Sequence, residues 1–183
     1  PEKAADRVAE LGATYTAFPH PGGYPLKTSA DARALAKKLD AAGAALKARG
    51  IQLCYHNHAL ELAREAGEPT LLEILYTETN PAHLAGEIDT YWIQAGGGSP
   101  VEWIGKLAGR LPVLHMKDYA VDAEQKPQFA EIGRGNLNFP EIVSTAEASG
   151  CRWFVVEQDV TPGDPFDSLK ISFDYVREVL AKE

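Results

Sequence analysis

Apolar positions along the chain form short β-rich runs that alternate with longer amphipathic stretches. The short runs lie at 13–18, 51–58, 83–92, 111–119, 129–133 and 151–159. The longer stretches show the three-to-four-residue spacing of helices, and several of them end at turn residues such as Gly50 and Gly150. Strands that alternate with helices in this way predict βαβ units around a parallel sheet.

The amphipathic stretches predict six helices. They cover 1–11, 28–49, 70–78, 100–109, 140–149 and 167–182. Thr28 or Ser29 can cap the second helix, and Pro100 fits the first turn of the fourth. Because no linker, low-complexity segment or internal repeat interrupts this order, we expect residues 1–183 to form a single domain.

Two architectures surround a parallel sheet with helices, namely the doubly wound sheet and the (β/α)₈ barrel. The glycine-rich segments GGYP and AGGGSP lack the spacing of a dinucleotide or phosphate-binding loop. Charged residues instead recur at the C-terminal ends of the strands, where barrel enzymes carry their chemistry. We therefore predict an α/β fold of the (β/α)₈ TIM-barrel type. The sequence supplies six strands and opens within a helix, so we expect a partial barrel without its first two strands.

Composition narrows the possible partners and the compartment. The 26 acidic residues outnumber the 18 Lys and Arg residues, which gives a formal net charge of -8, and no basic cluster is present to bind nucleic acid. No apolar run approaches the roughly 20 residues of a membrane span, and the start of the chain lacks a signal-peptide pattern. We expect a soluble protein with no nucleic-acid or membrane partner, and the cytoplasm is the favoured compartment.

The cysteines and the predicted sheet edge give two further expectations. Cys54 and Cys151 both lie in apolar runs, where buried free thiols are commoner than disulfides. An open barrel would leave the strand at 13–18 as a sheet edge, and exposed edges favour pairing with another chain. A homo-oligomer is therefore included among the expected partners.

Four predicted strands end in side chains that can bind a metal ion or move a proton. They are His56, Asn57 and His58 with Glu61 beyond them, then Asp89, then His115 with Lys117, and finally Glu157 with Asp159. Residues two apart on a strand share a face, and an isolated buried charge is costly. We therefore predict a site for one divalent metal ion, with Mn²⁺ favoured and Mg²⁺, Co²⁺ or Zn²⁺ as alternatives.

Several of these residues also have a purely structural interpretation. Asp89 can cap the segment that follows it, and His115 can be a hydrogen-bonded core histidine. Lys117 can pair with Asp118 or Glu131 instead of acting in a reaction. The residues taken together support a metal site more strongly than any of them does alone.

Four segments resemble the sugar phosphate isomerase/epimerase family, which is also described as xylose-isomerase-like barrels. The segments are YHNHALEL (55–62), GEIDTYWIQAGGGSPVEWIGKLAGRLPVLHMKDY (86–119), FAEIGRGNLNF (129–139) and FVVEQD (154–159). The resemblance implies a (β/α)₈ barrel of which the third to eighth strands are present. It also implies one divalent metal ion at the strand ends, and Asp89, His115 and Glu157 match three of the four ligand positions.

The remaining ligand position departs from the family pattern. Many relatives have Glu there, whereas this sequence has His56 within HNH, and the nearest acid is Glu61. Either His56 or His58 replaces the carboxylate, or Glu61 completes the metal site. We favour Glu61, because a third carboxylate keeps the charge of the site and leaves His56 and His58, with Lys117, as candidate acid–base groups.

The resemblance implies a metal-dependent isomerase or epimerase that removes a proton α to a metal-bound carbonyl of a sugar or sugar-like small molecule. The HNHxxE pattern resembles a subgroup with broader chemistry, which includes lyases, dehydratases of keto-inositols and hydrolases of 3-keto-glycosides. His20 and Trp92 are the predicted substrate-binding residues, and Trp103 is a second stacking candidate. A non-catalytic sugar-binding domain is an alternative; a nuclease is disfavoured by the acidic charge.

Overall fold

The structure, a computed structural model, describes residues 2–181. The predicted helix ends at Pro1 and Lys182 lie outside the described residues. The chain divides into two compact units, and the boundary along the sequence falls between Glu87 and Ile88. Each unit has its own strands and helices, and the two are described separately.

The first unit carries three parallel strands and three helices. The strands are β1 (Tyr15–Phe18), β2 (Gln52–His56) and β3 (Leu84–Asp89), whose last two residues belong to the second unit. The helices are α1 (Glu2–Glu10), α2 (Ser29–Lys47) and α3 (Leu71–Thr77), and a 3₁₀ turn covers Ala59–Leu62. Strand β2 lies in the middle, with Cys54 opposite both Ala17 and Ala85.

Local sequence explains why these elements form. Thr28 caps α2, because its hydroxyl accepts a hydrogen bond from the Asp31 N–H at 3.1 Å while the Asp31 carboxylate accepts one from the Thr28 N–H at 3.0 Å. The predicted cap of the second helix is thereby confirmed. Strand β2 is almost entirely buried along its length, as expected of a central parallel strand that is covered on both faces.

The second unit begins with the end of β3 and contains four helices. These are α4 (Thr90–Ala95), α5 (Pro100–Lys106), α6 (Phe139–Ala148) and α7 (Pro165–Tyr175), and a π-helical turn (Val176–Leu180) continues the last. Strands β4 (Val113–Met116) and β7 (Trp153–Val156) pair in parallel, with His115 opposite Val155. Strands β5 (Asp118–Val121) and β6 (Pro127–Ala130) form an antiparallel hairpin.

Three predicted strands differ from the observed ones. The run at 111–119 forms β4 only as far as Met116, and its last residues, Asp118 and Tyr119, begin the hairpin strand β5. The run at 83–92 ends as a strand at Asp89, because Asp89 caps α4 and the following residues are helical. The run at 129–133 was expected to form the parallel seventh strand of a barrel, and that prediction is wrong. The observed strand β6 pairs antiparallel with β5, because the Asp122 carboxylate accepts hydrogen bonds from the N–H groups of Glu124 and Lys126 and so closes a tight turn between them.

Each unit has a buried apolar core. Tyr55, Leu72 and Leu75 are fully buried in the first unit, and Ile104 and Leu114 are fully buried in the second. Cys54 and Cys151 are buried free thiols, as the sequence predicts. Among the described helices, none has the length and apolar character needed to cross a membrane.

Candidate functional site

Three potential metal ligands lie together in the second unit. Asp89 ends β3, His115 lies on β4 and Glu157 follows β7, and each offers one ligand atom within 4.8 Å of the others. The fold thus brings together the three residues whose strand positions pointed to a common site. Two carboxylates and an imidazole are donors that divalent ions of the Mn²⁺, Mg²⁺ or Zn²⁺ type accept.

Asp89 combines the two interpretations that its sequence position allows. The side chain is fully buried, and one carboxylate oxygen, Oδ1, accepts the Trp92 N–H at 3.0 Å and caps helix α4. The other oxygen, Oδ2, lies 3.0 Å from the Lys117 ammonium. Asp89 is therefore both a helix cap and a member of the charged cluster.

His115 and Glu157 form a short contact across neighbouring strands. The His115 Nδ1 lies 2.6 Å from the Glu157 Oε2. The hydrogen bond with His115 outweighs the effect of partial burial and, together with the Lys117 charge, lowers the pKa of Glu157 to about 2. Glu157 is therefore ionised at neutral pH and available to a cation.

Lys117 lies among the carboxylates of this cluster. Its side chain is 2% exposed, and its ammonium nitrogen lies 3.0 Å from Asp89, 3.1 Å from Glu157 and 3.2 Å from Asp159. The suggested pairing with Asp118 or Glu131 is not the one that forms. Burial opposes the charged ammonium, but the carboxylates of Asp89 and Glu157 outweigh it and raise the pKa of Lys117. Lys117 can therefore donate a proton at neutral pH but is poorly suited to accept one.

The charges of this cluster leave it suited to a cation. Asp89, Glu157 and Asp159 are three acids around one ammonium, so the group keeps a net negative charge when all three are ionised. Three acids, one of them fully buried, and one imidazole therefore fit a divalent ion both by charge and by donor type.

Thr90 is a positioning residue that the sequence did not single out. Its hydroxyl donates a hydrogen bond to the Lys117 carbonyl at 2.8 Å and accepts one from the Lys117 N–H at 3.0 Å. The start of α4 is thereby fixed to the end of β4, which contains His115 and is followed directly by Lys117. A hydroxyl residue directly after a capping Asp is the only sequence signal for this contact.

Asp118 organises the loop after the hairpin, a role that was not predicted from the sequence. Its buried carboxylate accepts hydrogen bonds from four backbone N–H groups, those of Tyr119 at 2.8 Å, Gly133 and Gly135 at 2.9 Å and Leu137 at 3.2 Å. Burial raises the pKa of Asp118 against the effect of these bonds. A Cβ atom at Gly135 would collide with the Asp118 carboxylate. The two glycines of EIGRG were therefore the sequence feature that could have indicated a loop packed closely against a side chain.

Three histidines cluster in the first unit. His56 is buried at the end of β2, and its Nδ1 lies 3.4 Å from the Glu87 Oε1. The ring of His58 is edge-on to that of His56 at 5.0 Å between centroids and to that of His20 at 5.2 Å. His20 is exposed in the loop after β1.

Glu61, the favoured fourth ligand, is fully buried in the same unit. Its Oε1 accepts a hydrogen bond from the Tyr55 hydroxyl at 2.7 Å, and its Oε2 accepts one from the His58 N–H at 2.8 Å. Burial is the main reason that the pKa of Glu61 is raised. Both oxygens thus fix the turn after β2, and the role of Glu61 as a metal ligand stays a prediction.

Aromatic rings border the charged cluster of the second unit. Trp92 is half-buried, and its ring packs against Tyr91 and Phe129 at centroid distances of 4.8 and 5.9 Å. The Lys117 ammonium nitrogen lies 5.8 Å from the Trp92 ring centre. Trp103 is 6% exposed and is a core residue, so it is not available to stack on a sugar.

Comparison with known proteins identifies the family. The family described as Xylose isomerase-like TIM barrel matches residues 2–179, and the chain belongs to it. The inosose dehydratase of Geobacillus kaustophilus is 29% identical over 145 residues, which cover 69% of this chain and 46% of that protein. The predicted family and fold class are confirmed, whereas the HNHxxE subgroup stays a prediction.

Solved structures share the same fold. A sugar phosphate isomerase/epimerase from Parabacteroides distasonis has a TM-score of 0.84 and 28% identity, with 98% of this chain and 62% of that chain covered. The 3-keto-D-glucoside 4-epimerase of E. coli has a TM-score of 0.67 and 16% identity, with 96% and 68% covered, and it supports the fold alone. The chain spans about half the length of the curated relatives that it matches.

Proposed function

We propose that this chain belongs to a divalent-metal-dependent isomerase or epimerase that removes a proton α to a carbonyl of a sugar or sugar-like small molecule. The observation that carries the proposal is the cluster of Asp89, His115 and Glu157 at the strand ends, with ligand atoms within 4.8 Å of one another. The names of the relatives support the substrate class, since they include an inosose dehydratase and a sugar phosphate isomerase/epimerase.

Asp89, His115 and Glu157 would hold the metal ion. When bound, a divalent ion polarises a substrate carbonyl and stabilises negative charge on its oxygen. Mn²⁺ is favoured because the donor set combines carboxylate oxygens with one imidazole, and Mg²⁺, Co²⁺ and Zn²⁺ also accept such donors.

Several residues have separate roles in the proposed reaction. The Lys117 ammonium donates a hydrogen bond or a proton to a substrate oxygen, since its raised pKa keeps it protonated. The Trp92 ring forms an apolar wall that can stack on a sugar face and exclude water. His56 and His58 are the candidate acid–base groups, because imidazoles exchange protons near neutral pH, and His20, in ring contact with His58, is a candidate substrate contact.

A dehydratase of keto-inositols is the second candidate. The inosose dehydratase relative at 29% identity favours it, and the chemistry begins with the same proton removal. The two activities differ in the next step, because a dehydratase then expels a neighbouring hydroxyl as water whereas an epimerase returns the proton to the opposite face.

Solvent exchange tests the shared step. The Mn²⁺-loaded chain should exchange solvent deuterium into the carbon next to the carbonyl of a keto-sugar or an inosose, as followed by NMR, and product analysis separates epimerisation from loss of water. Asp89→Asn, which keeps an oxygen able to cap α4, should reduce both Mn²⁺ binding and exchange at least tenfold. The exposed Asp167→Asn is the matched control and should change neither. Binding of sugar without exchange by the metal-loaded chain would instead indicate a non-catalytic sugar-binding domain.

Three variants in the HNHALE segment identify the fourth ligand. Glu61→Gln should weaken Mn²⁺ binding if its carboxylate is a ligand, whereas His56→Asn or His58→Asn should do so if an imidazole is the ligand. Calorimetric titration of Mn²⁺ into each variant separates these cases. Because Glu61 also accepts bonds from Tyr55 and His58, the unfolding midpoint of each variant must be recorded beside its affinity.

A further inference from the structure

A cleft of about 590 Å³ lies beside the hairpin of the second unit. It is lined by Ala120 of β5, by Pro127 and Phe129 of β6, and by Val160 and Pro162 of the segment after β7. A cleft of this volume falls within the range of about 300–1,000 Å³ typical of small-molecule sites.

The cleft lies next to the charged cluster. Phe129 lines the cleft, and its ring centre lies 5.9 Å from the Lys117 ammonium nitrogen. Val160, which also lines the cleft, follows directly after Asp159, whose carboxylate lies 3.2 Å from the same ammonium. Two lining residues are thus immediate neighbours of the cluster, so a ligand bound at the cluster lies close to the cleft.

The polar side chains of the cleft are already bonded within the protein. Gln128 donates to Asp122 at 3.1 Å, Thr161 donates to the Gly163 carbonyl at 3.0 Å and Glu131 accepts from Ser168 at 2.6 Å. These contacts leave the apolar and aromatic surfaces as the main contact area for a ligand.

The cleft is lined by one acidic and one basic side chain. Arg134 and Glu131 both line it, and the pKa of Glu131 is lowered mainly by its hydrogen bond from Ser168 and to a smaller extent by the Arg134 charge. An ionised acid beside a guanidinium leaves little net charge to attract an anion. The cleft therefore favours an uncharged ligand with an apolar ring face over a phosphate or a carboxylate.

We infer that this cleft binds a second, uncharged ring of the substrate, joined to the sugar whose carbonyl reacts at the neighbouring cluster. The preferred substrates are then glycosides that carry a ring-shaped aglycone, and free monosaccharides fill only the cluster end of the site. This inference rests on the proposed function for the reacting half of the substrate, and the cleft residues determine specificity without taking part in proton transfer.

Binding of an unreactive probe tests the cleft without turnover. Phenyl β-D-glucopyranoside has no keto group, so its affinity can be measured by NMR titration on the metal-free chain and compared with that of D-glucose. We expect the phenyl glucoside to bind at least tenfold more tightly. Ala120→Phe, which fills the cleft, should remove most of that advantage, and the same change at the exposed turn residue Ala123 is the matched control.

A second variant that fills the cleft separates loss of binding from a folding defect. Thr161 also lines the cleft, and Thr161→Phe would fill it from the segment after β7. This variant should weaken the binding of phenyl glucoside to the same extent. Its unfolding midpoint should stay close to that of the parent chain. Equal affinities for glucose and phenyl glucoside, or equal binding by the Ala120→Phe and Ala123→Phe variants, would overturn the inference.

Solvent exchange distinguishes this failure from a failure of the proposed function. If phenyl glucoside binds in the cleft but no keto-sugar exchanges deuterium, the reaction is rejected and the cleft stands as a binding site. If a free keto-sugar exchanges as efficiently as its phenyl glycoside, the reaction stands and the role of the cleft is rejected.

Discussion

Side chains at the strand ends of the second unit each serve more than one partner. Asp89 caps α4 with one oxygen and contacts Lys117 with the other, and the Oε2 of Glu157 lies close to both His115 and Lys117. Because these charged groups lie close together, a change at one position alters the electrostatics of the others. The contribution of a buried ion pair to the free energy of unfolding becomes apparent mainly when one partner is removed and the other charge stays buried.

Lys117→Met should destabilise the metal-free chain. The variant leaves the carboxylates of Asp89, Glu157 and Asp159 without their shared cation, and loss of one partner of a buried ion pair costs about 3–5 kcal/mol. Urea denaturation in the presence of EDTA measures the change in the free energy of unfolding, and Mn²⁺ should recover part of the loss. Lys126→Met, at an exposed position, should change it by less than about 0.5 kcal/mol. A Lys117→Met chain as stable as its parent would contradict the assigned role.

Glu157 gives the metal-free chain a defined dependence on pH. Its folded-state pKa of about 2 lies below the ordinary value of 4.5, so the stability that it contributes is present above pH 4.5 and is lost as the pH falls from 4.5 towards 2. Glu157→Gln should flatten this part of the curve of unfolding free energy against pH, measured by urea denaturation in EDTA. Glu124→Gln, at an exposed turn position, should keep the slope of the parent. Parallel curves for the parent and Glu157→Gln would refute the assignment.

At the scale of secondary-structure elements, the hairpin and the loop after it depend on Asp118. The carboxylate joins the start of β5 to the backbone of the 133–137 segment through its hydrogen bonds. The same hairpin carries Phe129, which lies close to Trp92 and lines the cleft. The position of the aromatic wall is therefore coupled to a buried side chain that takes no part in the proposed chemistry.

Gly135→Ala tests this coupling. The new Cβ would collide with the Asp118 carboxylate and the Tyr119 carbonyl, and overpacking of this kind costs about 1–3 kcal/mol. The matched control is Gly105→Ala in α5, where a Cβ meets open space and should stabilise the helix by up to about 1 kcal/mol. Thermal or urea unfolding should thus show changes of opposite sign, and a neutral Gly135→Ala would show that the loop can move away.

Periodicity was enough to locate six of the described helices and most strands, because capping residues and buried apolar spacing act over a few neighbouring residues. It missed α4, whose residues 90–92 were assigned to a strand-like run. It could not give the direction of β6, which depends on the tight turn closed by Asp122 and on pairing with β5. The ion-pair partners of Lys117 could not be assigned from the sequence either, because Asp89 and Asp159 are far from it along the chain. The charged strand ends were visible, whereas the hydrogen bonds of Thr90 and Asp118 became apparent only from the fold.

For the whole molecule, the chain covers only part of the length of its relatives, and its described residues form two compact units. The proposed metal ligands Asp89, His115 and Glu157 come from distant positions in the sequence but lie within one unit. A ligand that binds only the folded chain stabilises it by mass action, by about 2.7 kcal/mol at a concentration 100 times the dissociation constant. Metal binding should therefore be visible in the stability of the second unit.

Hydrogen exchange with and without Mn²⁺ should locate this stabilisation. We expect slower amide exchange at 113–119 and 153–159 when Mn²⁺ is added, because these segments carry the proposed ligands. Slower exchange at 52–61 as well would support a fourth ligand from the HNHALE segment. In the Asp89→Asn variant, Mn²⁺ should not slow amide exchange in any of these segments. If Mn²⁺ leaves amide exchange of the parent chain unchanged, the proposed metal site is rejected.

The ammonium of Lys117 has a consequence for how the protein is made in the cell. A newly synthesised chain carries its own counter-ion for Asp89, Glu157 and Asp159, so it can complete folding before any metal ion reaches it. Metal supply would then control how much of the protein is active, whereas the amount that escapes proteolysis would be set by folding alone. We expect cells starved of Mn²⁺ to accumulate the chain in a folded, protease-resistant form that gains activity when the ion is restored.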